Sequence, residues 1–281
     1  MIELRNLTKT FGNFTAVDHL DLKIETGEFF GLLGPNGAGK TTTISMISTV
    51  LLPTEGEVLV DGVPLTRKNS AVKRKLSVIT QEFSMRQDMT MDEVMEYQGR
   101  LYRMPIKEIR RKTEELLEFT GLLQYRHRVV RHLSGGMKRK LMICRALMIE
   151  PEIMLLDEPT AGMDALSRRQ MWNLLRKLND RNLTIILTTH FIDEAQALCD
   201  RVALINGGKL DKVDAPQVFI DELGKFAVDI TSDDSIESHY FHTRKEAIAY
   251  LESEQDANAA LRNSTLEDVF VERVGRHLNK R

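Results

Sequence analysis

Apolar and polar side chains alternate through much of the first thirty positions. IELRNLTKTFG and DLKIETGEFFGLL read as strands of period two, with turns at Gly12 and Gly27. After Gly39 the spacing becomes helical to about Thr49. GEVLVDG (56–62) predicts a short strand and turn, and KLSVITQ (75–81) another strand. From about 88 to 132 the pattern is helical. Thr90 and Glu93 form a capping box ahead of VMEYQGRLYRM, and a second helix covers roughly 106–119 behind Pro105. Leu141, Met142, Ile143, Ala146 and Leu147 recur at helical spacing, so another helix starts near Ser134. IMLLDEP (153–159) and TIILTTH (184–190) are short apolar runs ending in polar residues. Helical segments near 165–180 and 192–199 follow them. Strands alternating with helices predict an α/β fold, with a mostly parallel sheet covered on both faces and antiparallel strands at the N-terminus. RVALINGGKLDKV, after residue 201, is a hairpin turning at Asn206-Gly207-Gly208. The last sixty or so residues are more charged and hold two further capping boxes, Thr243/Glu246 and Ser264/Glu267, which predict a small accessory α+β tail.

Length and charge narrow this picture. The 281 residues suit one large domain with a small appendage. A net charge of −2 argues against a general nucleic-acid binder, and no nucleic-acid partner is expected. No run approaches the ~18 apolar residues of a membrane span, and MIELRNLTKTFG has no signal-peptide core. The chain is therefore expected in the cytoplasm, with any membrane link made through a partner. Cys144 and Cys199 lie in separate apolar patterns without a CxxC spacing, which predicts buried reduced thiols. The seven histidines have no metal-ligand spacing, so no structural metal is expected.

The candidate chemistry sits at the joins between elements. GPNGAGKT, Gly34 to Thr41, matches G-x-x-x-x-G-K-[ST] between the apolar strand FFGLL and a helix. Its glycines let backbone amides surround phosphate oxygens. Lys40 can reach the β- and γ-phosphates, and Thr41 can hold Mg²⁺. Asp157 ends a buried strand, where ligands bind in open parallel sheets, and suits Mg²⁺. Glu158, one residue on, can orient an attacking water or take its proton; alone, an Asp-Glu pair is equally a solvated turn. His190 ends a third strand, where it either contacts the γ-phosphate, holds the water and Glu158 in line, or is merely structural. Gln81 ends a fourth, with a carbonyl for Mg²⁺ and an amide for water. HLSGGMKRK (132–140) is anomalous: Lys138, Arg139 and Lys140 crowd the positive end of a helix dipole behind a good N-cap, Ser134. Either an external anion meets the bare amides there, or the segment is a solvated basic turn.

Taken in order, these pieces resemble the ATP-binding cassette ATPases over about residues 1–215: aromatic loop, phosphate loop, Gln81, LSGG signature (Leu133–Gly136), Asp157–Glu158, Asp164 in AGMD, then His190. The resemblance implies a phosphate-loop nucleotide-binding domain at 1–215, a helical subdomain inserted at about 82–140, and an accessory region at 216–281. It implies ATP and Mg²⁺ as cofactors. Phe11 would stack on adenine and Val17 flank it. Asn36, Gly37, Ala38, Gly39, Lys40, Thr41 and Thr42 would bind phosphates, while Thr41, Gln81 and Asp157 serve the Mg²⁺ shell. Glu158 would be the general base and His190 the switch histidine. Two cassettes, identical or different, would pair head to tail, so that Ser134, Gly135 and Gly136 face ATP held by the other subunit, in whose field Lys138 and Arg139 would sit. Asp164 would link the two sites. Met137 stands where many importer subunits have Gln, and Phe11 replaces the commoner Tyr; neither removes a catalytic group. LSGGMKRK and the tail TLEDVFVERVGR look like exporter-type cassettes for drugs, lipids and polysaccharides. The expected partner is an integral membrane permease on another chain, which would hold this subunit at the inner face of the membrane. Two alternatives are a soluble cassette ATPase acting on nucleic acid or the ribosome, and a nucleotide-sensing adaptor without turnover. The short span between Gly34 and the signature leaves no room for coiled-coil arms, translation-type members carry two cassettes per chain, and intact Glu158 and His190 oppose the adaptor.

Overall fold

A computed structural model describes residues 1–82, 85–231, 236–254 and 258–278. Residues 83–84 of the expected helical subdomain, and 232–235, 255–257 and 279–281 of the expected tail, lie outside them.

Strands β1 (Ile2–Phe11) and β2 (Phe14–Ile24) form an antiparallel hairpin. β3 (Phe29–Leu33) is buried at every position, and still sorts its side chains by parity. Phe30 and Leu32 enter one core while Phe29 and Leu33 enter another, as a strand covered on both faces requires. β3 feeds the loop that opens α1 (Lys40–Ile47). The chain then returns to the first sheet through β4 (Glu55–Val60) and β5 (Val63–Pro64), giving the order β2-β1-β4-β5. The short helix α2 (Ser70–Lys73), too brief to show a period, leads to β6 (Leu76–Ile79).

The helical stretch contains α3 (Met91–Leu101) and α4 (Ile106–Phe119), followed by short 3-10 turns and then α5 (Gly135–Leu147). The capping box is formed: Thr90 Oγ1 accepts the Glu93 N–H, and the Glu93 carboxylate accepts the Thr90 N–H. Met95, Ile109, Leu117, Leu141 and Ile143 close a core between these helices. β7 (Ile153–Asp157), α6 (Ala165–Asn179), β8 (Thr184–Thr188), α7 (Ile192–Leu198) and the hairpin β9 (Arg201–Asn206) and β10 (Lys209–Asp214) follow. The second sheet has the order β10-β9-β3-β8-β7-β6 and is parallel except for β10 at its edge. The predicted mostly parallel sheet with N-terminal antiparallel strands is thus present. Thr188 pairs with both Leu32 and Asp157, and Ile79 with Leu156. The C-terminal ends of four strands therefore stand level along one edge.

The tail holds α8 (Pro216–Leu223), β11 (Phe226–Thr231), β12 (Ile236–Phe241), α9 (Arg244–Ser253), β13 (Asn258–Asn263) and α10 (Leu266–Leu278). Its strands run antiparallel in the order β12-β11-β13. Phe219, Ile220, Leu266 and Val269 join the same core as the parallel sheet. The Thr243/Glu246 box forms. The Ser264/Glu267 box does not. Asp268 accepts the Thr265 N–H at 2.7 Å and its hydroxyl at 3.0 Å, and the Ser264 hydroxyl is buried without a hydrogen-bond partner among the described residues. The motif is displaced by one residue because Arg262, on β13, also binds Asp268 and fixes which carboxylate faces the helix start. Cys144 and Cys199 are free and buried; burial pushes the Cys144 thiol up to about 12 and that of Cys199 well above its usual value.

Candidate active site

The phosphate loop is held from both sides by backbone. A Cβ at Gly34 would lie 2.2 Å from the Ile205 carbonyl oxygen, and one at Gly39 would lie 2.4 Å from that of Ala16. Gly39, at φ 103°, is the N-cap of α1, and Gly37 has φ 79°. Only glycine takes both the conformation and the space. Ala38 is buried and its carbonyl accepts the Gly208 N–H at 3.1 Å, while Asn36 and Gly37 stand exposed. The first turn of α1 has no acidic residue, which leaves its amide end to an anion. Val17 is buried beneath the loop, its Cγ2 lying 3.2 Å from where a Gly39 Cβ would be. Phe11, at the end of β1, is half exposed, with the Lys9 ammonium 5.2 Å from its ring centre.

Lys40 is 6% exposed and donates to the carbonyls of Gly34 at 2.7 Å and Pro35 at 3.0 Å. Burial pushes its ammonium down in pKa, and the carboxylates of Glu158 and Asp157 pull it back up. Asp157 Oδ1 accepts hydroxyls from Thr41 at 3.3 Å and Thr188 at 2.5 Å. Thr42 follows on α1, half-buried. Glu158 leaves β7 in the left-handed region, φ 48°, with its N–H donated to the Thr188 carbonyl at 3.0 Å. That conformation costs about 1–2 kcal/mol for an L-residue and turns the side chain over the sheet edge. There Glu158 Oε2 accepts Gln81 Nε2 at 3.2 Å and lies 3.2 Å from His190 Nδ1. Three residues far apart in sequence meet at one oxygen.

Gln81 lies two residues beyond β6 rather than ending it. What fixes it there is Arg139, a residue that the sequence pattern assigned to solvent or to an anion. Arg139 is 4% exposed and donates Nη1 to the Thr80 carbonyl at 2.9 Å and Nη2 to that of Gln81 at 2.5 Å. A signal was present: Arg139, Met142, Ile143 and Ala146 share one helical face, so the cation lies on the buried stripe. Ser134 caps α5 by accepting the Met137 N–H at 3.3 Å. A Cβ at Gly135 would meet nothing within 4 Å. Gly136 lies beside Ser167, and Asp164 caps α6 through the N–H of Ser167 at 2.9 Å. Among the described residues, Ser134 and Asp164 make no hydrogen bond to the phosphate loop. The structure thus brings Lys40, Thr41, Asp157, Glu158, Gln81 and His190 together, and leaves Ser134–Gly136 with Asp164 as a separate group, exposed except for the half-buried Gly136.

The strand–loop–helix around Lys40 is that of a phosphate-loop nucleoside triphosphatase, and the helical stretch between Gln81 and Asp157 narrows the class to the cassette ATPases. The family model described as ABC transporter matches residues 17–161. The chain is 33% identical over 298 residues to Nod factor export ATP-binding protein I of Cupriavidus metallidurans, spanning 99% of this chain and 98% of that one. It is 31% identical over 286 residues to linearmycin resistance ATP-binding protein LnrL of Bacillus subtilis, spanning 99% and 92%. Among solved structures, an ATP-binding cassette in a dimeric post-hydrolysis state bound to ADP and Pi superposes with a TM-score of 0.69 at 30% identity, over 76% of this chain and 98% of that one. The chain belongs to the ABC transporter family, as one of its ATPase cassettes.

Proposed function

We propose that this chain is the ATP-hydrolysing subunit that drives a membrane permease on another chain, for export. The observation that carries the reading is the Glu158 carboxylate, held at one oxygen by Gln81 and His190 beside the phosphate loop. The names of both relatives support the direction of transport. Among the described residues no helix is long and apolar enough to cross a membrane.

In this reading the amides of Gly34–Thr42 and the Lys40 ammonium bind the β- and γ-phosphates, with Phe11 and Val17 on the adenine side. The hydroxyl of Thr41, the carboxylate of Asp157 and the side-chain carbonyl of Gln81 offer the oxygen donors that a hard cation prefers, and so fit Mg²⁺. When bound, the ion would neutralise charge on the transferred phosphoryl group. Glu158 takes the proton of the attacking water through its second oxygen. His190 and Gln81 hold the first oxygen and fix the orientation. Ser134, Gly135 and Gly136, of which Gly135 is open at its Cβ side, face the γ-phosphate of a second cassette, and Asp164 beside them links the two sites.

The permease meets this subunit at a cavity of about 290 Å³ between α1 and the helical stretch, lined by Ile47, Thr49, Leu76, Gln98, Tyr102 and Arg145. Val50, Leu52, Tyr97 and Leu101 stand exposed on the protein surface. Their apolar side chains suit a permease helix, and binding there keeps the subunit at the inner face of the membrane. Residues 1–215 form the motor unit, the helical subdomain lies at about 82–140, and 216–281 are accessory.

Glu158→Gln tests the reading. It keeps shape but removes the base, so steady-state hydrolysis should fall by roughly two to four orders of magnitude. The variant should elute as a dimer with Mg-ATP and as a monomer with ADP. Identical elution of wild type and variant under ATP, with no measurable wild-type ATPase, would sink the motor reading.

A further inference from the structure

Glu194 is fully buried, at 0% exposure, in α7, four residues beyond His190. Its Oε1 accepts the Thr160 hydroxyl at 2.9 Å and the Trp172 indole N–H at 2.9 Å. Its Oε2 is buried and, among the described residues, has no hydrogen-bond partner within 3.5 Å. Among the described residues no cation forms an ion pair with it. Asp193 is its neighbour in the chain, and Arg168 lies 3.8 Å from Asp193 and over the rings of Phe191 and Trp172. Burial pushes the Glu194 carboxyl above the usual range, Asp193 adds to this, and Thr189, Thr160 and Trp172 pull the other way. A leucine there would avoid the desolvation cost altogether. The carboxyl needs another reason, and what it touches supplies one.

Thr160 sits in the turn between Glu158 and Asp164, where the Ala161 N–H donates to the Glu158 carbonyl at 3.2 Å and the Met163 N–H to the Thr160 carbonyl at 3.1 Å. Trp172 lies on α6, the helix that Asp164 caps. Thr189 precedes His190, and its hydroxyl accepts the Phe191 N–H at 3.0 Å. His190 itself has a side chain 44% exposed, stacks on Phe191 at 4.1 Å and, among the described residues, reaches only the Glu158 oxygen with its Nδ1. Its direction is therefore set from below, by the backbone between β8 and α7. We propose that Glu194 is a positioning residue for hydrolysis: its carboxyl fastens the His190 segment to the Thr160 turn and to α6, so that His190 and Glu158 keep a common geometry. This rests on the reading of Glu158 and His190 as reacting groups. Glu194 does not touch substrate; it acts through the two residues that do.

Three variants test it, read by kcat, KM for Mg-ATP and the emission of Trp172, the only tryptophan in the chain. Thr160→Val keeps the volume and removes one donor. Glu194→Leu removes the acceptor, and Glu194→Gln keeps an acceptor oxygen. A misplaced catalytic group costs rate rather than binding, so Thr160→Val and Glu194→Leu should lose about tenfold or more in kcat with KM nearly unchanged. Glu194→Gln should stay within about threefold of wild type, and Trp172 in Thr160→Val should keep the emission it has in the wild type. If Glu194→Leu does not fold, Thr160→Val decides. Wild-type kcat in Thr160→Val, a loss confined to KM, or a Gln variant as slow as the Leu variant would overturn the inference. Glu158→Gln and His190→Ala run alongside. If they lose hydrolysis while Thr160→Val does not, only the role of Glu194 falls; if they hydrolyse at the wild-type rate, the reading of the site falls and this inference with it.

Discussion

At the scale of single residues, burial decides which charges matter. Lys40 is a cation with almost no water contact, held over its own loop by two carbonyls. Charge-assisted contacts to phosphate are stronger than ordinary hydrogen bonds, and an exposed lysine could not supply them so cheaply. Lys40→Ala should abolish the rise in melting temperature that Mg-ATP gives the wild type, with the fold retained; an unchanged rise would count against the phosphate loop. Arg139 is another buried cation, and its work is structural. It ties the Thr80 and Gln81 carbonyls to α5. Arg139→Met fills the space but leaves those acceptors, at a cost of about 1–3 kcal/mol in stability. The freed Gln81 should slow hydrolysis by about tenfold while ATP binding stays near normal, as expected when orientation and not contact is lost. Chemical denaturation and single-turnover kinetics on the same preparation separate the two effects.

At the scale of elements, local signals decide most helices, and long-range charge decides the exception. The Thr90 and Thr243 boxes form where the local pattern puts them. The start of α10 instead follows Arg262, which binds Asp268 from one side and Asp229 from the other. Burial pushes both carboxyls up, but Arg262 outweighs it, and in Asp268 the Thr265 amide helps; both end below the usual carboxylate range. Their lowered values mean that the unfolded chain binds more protons. The stability they contribute is therefore complete above about pH 4 and is lost as pH falls through their folded values. Arg262→Leu should lower Tm by about 2–6 °C near neutral pH, and its Tm should fall less steeply than that of wild type from about pH 5 to pH 3. Parallel acid-side slopes for the two proteins would show that the cluster is not the titrating unit.

At the scale of the whole molecule, the proposed site is shared between two cassettes. Ser134, Gly135 and Asp164 are exposed, Gly136 is half-buried against Ser167, and among the described residues Ser134 and Asp164 make no hydrogen bond to the phosphate loop of their own chain. Ser134→Arg removes an N-cap, costing about 1 kcal/mol, and blocks that surface. It should leave ATP binding by the monomer nearly intact and stop hydrolysis. Mixed with Lys40→Ala, it gives dimers in which one composite site has both halves broken and the other has both intact. Partial recovery of ATPase activity is the expected outcome, whereas no recovery in proven mixed dimers would argue that each chain works alone.

The sequence by itself determined the class of fold and the residues at each strand end. Apolar runs closed by Gly34–Thr41, Asp157–Glu158 and His190 carry their identity in short windows, because strand period, glycine conformation and helix capping are local properties. It left α2 unmarked, since four residues show no period, and it misplaced the start of α10 by one residue. It gave Arg139 to solvent or to an external anion and left Glu194 unread. Only the tertiary structure decided that Gln81 and His190 converge on one Glu158 oxygen, that Arg139 braces the first of them, and that Glu194 lies between the turn behind Glu158 and the segment bearing His190. The physical reason is the same in each case. A polar side chain takes its role from its partners, and these partners come from other strands and helices, brought within 2.5–3.2 Å by the order in which the parallel strands are laid down.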